Sequence, residues 1–283
     1  MPIAKGLLNK FTTAKTLPFI TIQLTKLISN ENSTMKDFEN MIKMDPTLVL
    51  RILRSVNSPY YGLRQKVNGI SRAIVIIGIN NLRNMIVTEG LKGIFKDKKG
   101  KNAFSRNRLW LHCAAVSICS QMIAERIFGF NGEDAFLCGI LHDIGMIVED
   151  QTAPDLFYEA CNSYDENSKL ITDHEKEIIG TDHCEIGYLL AKEWQLPIEV
   201  QEGIQHHHKT LDHVAPSSLT GVIQQAEYIV SQLDYTAIPG MKAVLSLPLA
   251  KHIRNNVKEY KALVRDLPNE MSKAKELYEP HEE

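Results

Sequence analysis

Apolar residues recur at helical spacing along almost the whole chain. Met35, Phe38, Met41 and Ile42 fall three and four apart, as do Val49, Ile52, Leu53 and Val56. Such stripes predict amphipathic helices. Start and stop signals bracket them. Thr34 and Asp37 have the spacing of a capping box, with Asp in place of the longer Glu. Asp45-Pro46 supplies a side-chain acceptor, then a proline whose missing N–H costs nothing in a first turn. Asn57-Ser58-Pro59 ends that helix. Ser71 opens the next, with Ala73, Ile74 and Ile77 inward, and Gly78 closes it. Asn80 or Asn81 caps another that buries Leu82, Met85 and Ile86. Further on, the pattern predicts helices over 109–127, 134–146, 183–194, 198–208 and 217–233, with a polar link at 161–176. Leu196-Pro197 separates the third from the fourth. Past Asp234, Val257, Tyr260, Leu263 and Val264 continue the periodicity. No alternation is long enough for a sheet, and no internal repeat is present. The expected fold class is all-α. A helical subdomain is expected over 1–100, a helical bundle over 101–235, and a helical extension over 236–283 that packs back on one or both.

Between residues 92 and 108 the texture becomes basic, in LKGIFKDKKGKNAFSRNR. This reads as a linker or exposed turn between the halves; the rival reading is an anion-binding edge. Overall charge changes little: 32 basic against 34 acidic residues, net −2. No general attraction to nucleic acid or to an anionic membrane follows, so DNA and membrane are not expected partners. No apolar run approaches the roughly 20 residues that span a bilayer. The start, MPIAKGLLNKFTTAK, has no signal-peptide apolar core. Cys113, Cys119, Cys138, Cys161 and Cys184 lie scattered on apolar segments without CxxC spacing. They read as reduced core residues of a cytoplasmic protein.

The candidate chemistry lies in the histidines. His112 sits early in one helix, beside Trp110; His142 and Asp143 lie near the end of the next, in FLCGILHDIG. His183 starts a third, in GTDHCEIG, and His206, His207 and His208 end a fourth. Glu227 stands mid-helix among apolar residues. Each residue alone has a bland reading, as a hydrogen-bonded core histidine, a helix-end pair or a solvent-facing run. His206 is expected to face outward, and His174, His213, His252 and His281 to be surface residues. Together, residues on successive helices with apolar neighbours can converge in a bundle core. Burying an unpaired carboxylate costs several kcal/mol, a penalty a divalent cation offsets. Imidazole mixed with carboxylate suits Fe, Mn, Ni or Zn. His142 and Asp143 can flank one ion, or Asp143 can bridge two; the surplus of donors over the usual four of a structural zinc site favours two ions.

The motifs resemble those of bacterial HDOD proteins, a branch of the HD phosphohydrolase superfamily related to the HD-GYP proteins. In the first half the resemblance rests on TLPFITIQLTKLIS, MIKMDPTLVLRILRSVNSPYYG and ISRAIVIIGINNLRNMIV. In the second it rests on LWLHCAAVS, AFLCGILHDIG, GTDHCEIGYLLAKEWQLP and GIQHHH. The superfamily's metal ligands then fall at His112, His142, Asp143, His183, His207, His208 and Glu227. Glu227 replaces an aspartate, which keeps the charge and moves the carboxylate by one methylene. Relatives that hydrolyse cyclic di-nucleotides carry a lysine after HDIG and a Gly-Tyr-Pro element after the paired histidines. Here Met146 and KTLDHVAPSS stand at those places, so hydrolysis of cyclic di-GMP is not expected.

The resemblance implies first a signal-transduction module, without the receiver domain often fused to such proteins. Its partner would be an unidentified signalling protein or a nucleotide-like ligand. The alternative is a metal-dependent phosphohydrolase acting on a phosphoester or nucleotide; no protein group stands out as its general acid, Lys192 and Glu185, on the helix started by His183, being the candidates. A helical scaffold with a relic pocket is the third reading.

Overall fold

The structure is a computed structural model. It describes residues 2–11, 27–28, 32–44, 46–58, 61, 63, 65–92, 95, 104–165 and 169–278. Among them every regular element is a helix. Two compact units form: residues 13–93 with 269–283, and residues 1–12 with 94–268. The division differs from the expected one at both ends. The first helix, α1 (Pro2–Lys10), groups with the second unit, and so does most of the segment after 235.

In the smaller unit, α2 (Met35–Ile42), α3 (Pro46–Val56), α4 (Ile70–Ile77) and α5 (Ile79–Lys92) surround one apolar core that includes Phe38, Ile42, Ile52, Ile74 and Leu82. The capping geometry at its start is as expected: the Thr34 backbone N–H donates to Asp37 Oδ2 at 2.8 Å. Asp45, the expected cap of α3, and most of TLPFITIQLTKLIS lie outside the described residues. So does much of the basic segment 92–108. Asn57 does more than end a helix. Its Nδ2 donates to the carbonyls of Leu53 and Val67 at 2.7 and 2.8 Å, and its Oδ1 accepts from the Val67 N–H at 2.7 Å. Val67 is buried, so Asn57→Ala strands both of its backbone groups. The expected loss is about 2–4 kcal/mol, from roughly 1–3 for each orphaned group. Urea denaturation measures it; a loss below about 1 kcal/mol would mean that water replaces the amide.

In the larger unit, beyond α1, Ser105 Oγ accepts from the Arg108 N–H and caps α6 (Arg106–Met122). A π-helical turn, Ile123–Ile127, extends it. Then come α7 (Glu133–Leu141), α8 (Ile144–Thr152), α9 (Pro154–Ser163), α10 (Ile171–Ile178), α11 (His183–Glu193), α12 (Ile198–His206) and α13 (Leu219–Gln232). Two expectations are corrected here. The single helix expected over 134–146 is two, broken at His142-Asp143, where Asp143 leaves the helical region at φ −99°, ψ 12°. The polar link expected at 161–176 contains most of α10. Ile171, Glu175, Ile178 and Ile179 lie on one face of it, and Glu175 is fully buried there.

Close packing sets the positions of these helices. A Cβ on Gly145 would lie 2.0 Å from the His183 carbonyl oxygen, so α8 and α11 meet backbone to backbone. Arg106 Nε donates to Asp150 Oδ2 at 2.6 Å and the Tyr158 hydroxyl to Asp150 Oδ1 at 2.6 Å, tying α6, α8 and α9 through a buried carboxylate. The chain beyond α13 adds α14 (Leu247–Asn255) and α15 (Val257–Tyr278). Tyr260 is buried there and donates to Gln225 Oε1 on α13 at 2.5 Å.

Candidate metal centre

Each donor has a defined place in the bundle. His112 is on α6, and His142 and Asp143 form the break between α7 and α8. Asp182 Oδ1 accepts from the Glu185 N–H at 2.7 Å, and this cap sets His183 as the first residue of α11. His207 and His208 follow the last turn of α12, and Glu227 is on α13. His142, Asp143 and His183 are 0% exposed, His112 1%, Glu227 2% and His207 4%, so the donors face the core. His208 is only partly covered.

The donors form two groups that share Asp143. His112 Nε2 and His142 Nε2 lie 3.0 and 2.9 Å from Glu227 Oε1, 3.4 and 3.3 Å from Asp143 Oδ2, and 3.2 Å from each other. On the other side, His183 Nε2 and His207 Nε2 are each 3.3 Å from Asp143 Oδ1 and 3.3 Å apart. His208 joins this second group. Donors around one tetrahedral ion with bonds of about 2.0–2.1 Å stand about 3.3 Å apart. The separations of 2.9–3.4 Å in the first group and of 3.3 Å among Asp143, His183 and His207 in the second are close to that spacing.

The outer ring nitrogens settle which atom faces inward. Nδ1 of His112 faces the Tyr235 carbonyl at 2.7 Å, that of His142 the Gly139 carbonyl at 2.7 Å, and that of His207 the Ile204 carbonyl at 2.8 Å. A carbonyl only accepts, so each Nδ1 carries a proton and each neutral ring turns an Nε2 lone pair inward. His183 Nδ1 faces Glu175 Oε2 at 2.7 Å, and the same carboxylate accepts from the His183 backbone N–H at 3.1 Å. Partners of this kind fix ring orientation and raise basicity in metal sites. Both oxygens of Asp143 and Oε1 of Glu227 lack any properly directed hydrogen bond despite full burial. Nitrogen lone pairs and carboxylate oxygens that converge without donors between them fit a bound cation.

Without one, protons must compensate the charge. Burial opposes charging His112, but Glu227 and Asp143 outweigh it and raise the ring to about 10. Burial likewise opposes charging His142, and Asp143 and Glu227 raise it to about 9. His207 reaches about 9 against burial, through Cys184 and Asp143. Both carboxyls are held well below the usual range: burial works against this, but His142 prevails at Asp143 and His112 at Glu227. His208 goes the opposite way, lowered by burial and by His207 and His183. Rings raised above 7 are protonated at neutral pH and must lose those protons to bind a cation. Loading Zn²⁺ at pH 7 is therefore expected to release protons, and less so as pH rises through about 9–10. Calorimetry in two buffers of different ionisation enthalpy counts them. Buffer-independent heats would mean that the rings start neutral.

All seven residues singled out in the sequence are thus gathered at this centre. Glu227 reaches it despite its extra methylene. Lys192 does not: it is exposed on the last turn of α11, roughly 13 Å along the axis from His183. Glu185 is bonded to the Thr181 hydroxyl at 3.0 Å. Missed in the sequence were Glu175, the carbonyls of Gly139, Ile204 and Tyr235, and Cys184 beside His183 and His207. Only Glu175 left a signal, its spacing from Ile171 and Ile178. A cavity of about 280 Å³ reaches the second group, lined by Cys184, His208, Lys176, Lys209 and Thr210 among others.

A family model described as "HDOD domain" matches residues 15–210. A solved structure of an HDOD domain protein from Geobacter sulfurreducens is 23% identical, with TM-score 0.75 over 98% of both chains. A Shewanella amazonensis SB2B structure, provisionally described as a phosphohydrolase, is 25% identical with TM-score 0.63, covering 94% of this chain and 97% of that one. A Treponema pallidum (strain Nichols) protein of uncharacterised role is 25% identical over 213 residues, 73% of this chain. The match spans only 40% of that curated relative's length.

Proposed function

The chain belongs to the HDOD domain family, and from that premise we propose that its larger unit is a two-cation centre that hydrolyses a phosphoester within a signal-transduction protein. One observation carries this reading: the two oxygens of Asp143 each complete a separate set of inward-facing imidazoles. A scaffold without ions has no physical use for two buried carboxylates that lack directed hydrogen bonds.

His112, His142, Glu227 and Asp143 Oδ2 would hold one ion, and Asp143 Oδ1, His183 and His207, with His208 nearby, the other. Two divalent ions so placed would supply a water nucleophile near neutral pH and neutralise charge on the phosphoryl oxygens. The protein's own residues do the rest. Glu175 holds His183 in orientation. Almost complete burial of the donors excludes bulk water. The cavity admits a ligand on the His208 side, where Lys209 offers a positive charge while Lys176 is paired with Asp182 at 2.8 Å and Asp173 also lines the wall. At about 280 Å³ it lies just below the usual range for ligand sites, which begins at roughly 300 Å³, and favours a small phosphoester over a cyclic dinucleotide. Met146, fully buried where a lysine would stand in the cyclic dinucleotide hydrolases, agrees with that.

The test loads metal-free protein with Fe²⁺, Mn²⁺, Ni²⁺ or Zn²⁺ and screens phosphomonoesters, mononucleotides and cyclic nucleotides. Turnover that chelation abolishes supports the reading. Two bound ions without turnover on any ester would support instead a regulatory module that senses metal or nucleotide.

A further inference from the structure

The last carbonyls of a helix have no partner within it and must find donors elsewhere. At the end of α12 one side chain supplies them. Gln224 Nε2 donates to the His206 carbonyl at 2.8 Å and to the Lys209 carbonyl at 2.8 Å. A carbonyl only accepts, so the amide nitrogen must face both, and each of its two hydrogens is used. The Lys209 N–H returns to the His206 carbonyl at 2.9 Å and closes the turn. His207 and His208, both of the second donor group, are the two residues between the clamped carbonyls. Gln224 is buried, and its Oε1 has no hydrogen bond, so the two N–H bonds alone orient the amide. Gln224 also stands three residues before Glu227 on α13, which puts both on one face of that helix. One helix therefore serves both donor groups. Glu227 supplies an oxygen to the first, and Gln224 fixes the turn that carries two rings of the second.

We propose that Gln224 is a positioning residue for the second ion. Its amide holds the turn in which His207 Nδ1 donates to the Ile204 carbonyl and His207 Nε2 stands 3.3 Å from Asp143 Oδ1. Without the amide, two carbonyls lose their donor, and the turn must shift to find others. That shift carries His207 and His208 away from Asp143. None of His112, His142 and Glu227 is on this turn, so the first position keeps its geometry. This inference rests on the two-cation reading above.

The experiment measures Zn²⁺ dissociation constants by competition with a chromophoric chelator, with metal content read in parallel. Gln224→Met keeps the length of the side chain and removes both donors. One of the two ions should then bind about 10-fold more weakly, the lower end of the roughly 10–100-fold cost of losing an outer partner of a metal ligand. The other ion should bind as before. In a Glu227→Gln background, which weakens the first ion, the same substitution should still weaken the ion that remains. Gln225→Met is the control. Gln225 is as deeply buried on the same helix, and its Nε2 likewise donates to two carbonyls, those of Pro216 at 2.8 Å and Gly221 at 2.9 Å. It should lower Tm at least as much and leave both constants unchanged. Coupling between two binding events is reciprocal. In the unsubstituted protein, saturating Zn²⁺ should therefore slow deuterium exchange of the Gln224 side-chain amide, read by NMR, which does not depend on a variant folding. Unchanged affinity for both ions in Gln224→Met, an equal loss at both positions, the same loss in Gln225→Met, or exchange that zinc does not slow overturns the positioning role and leaves the two-cation centre standing. A protein that binds no zinc overturns both.

Discussion

Asp143→Asn is expected to strip the centre of metal while leaving the helices folded. Asp143 is the only side chain with an atom in both donor groups: Oδ2 faces His112 and His142, and Oδ1 faces His183 and His207. Asparagine has the same shape but a neutral amide with only one oxygen. One group then loses its oxygen and both lose the shared negative charge. Bound metal should fall from two equivalents to less than one, and turnover by on the order of 10³-fold, as when a charge-stabilising group is removed from a buried site. Removing His142 as well, in His142→Ala with Asp143→Ala, should abolish binding and leave the unit built from α2 to α5 intact. Metal analysis and far-ultraviolet circular dichroism read the two effects separately. Unchanged metal content in either variant would rule this centre out.

Gly145→Ala is expected to be the most damaging single methyl group in the larger unit. The added carbon would lie 2.0 Å from the His183 carbonyl oxygen and 2.7 Å from its carbonyl carbon and Cα. These are backbone atoms at the start of a helix, so no side chain can rotate to make room. Either α8 or α11 must move. Overpacking of a tight core costs roughly 1–3 kcal/mol and sometimes more; backbone contact puts this case at about 3 kcal/mol or above. For a unit of this size that lowers Tm by roughly 6–12 °C. The functional loss follows the same displacement, because Asp143 precedes α8 and His183 begins α11. Metal affinity should therefore fall together with Tm. A variant with unchanged Tm and metal content would show that the helices do not pack as described.

Much of this was legible in the chain. The 3.6-residue periodicity of its apolar positions is a local property, and it carried the all-α class and most helices of the larger unit. The donor residues were legible for another reason. His112, His142, Asp143 and Glu227 are polar groups set among apolar neighbours, a pattern that makes little energetic sense unless something compensates them together; His183, His207 and His208 stand among polar neighbours and are marked by the motifs shared with HDOD proteins. Glu175 escaped because its neighbours Asp173, His174, Lys176 and Glu177 are polar, and they masked the apolar stripe that carries it inward. The break at His142-Asp143 escaped because both flanks are apolar, and periodicity does not register a change of axis between two buried helices.

What the sequence by itself determined, then, is which side chains turn toward a core and which of those are chemically out of place there. Only the tertiary structure decided how they are shared out: Asp143 between two groups, Tyr235 and Glu175 as the partners that fix the rings, Cys184 beside two imidazoles. Those relations join residues up to 123 positions apart, as His112 and Tyr235 are. They depend on close approaches such as that of Gly145 to His183. Local propensity sets the direction of a side chain along its own helix, but the distance between two helices is set by the packing of both.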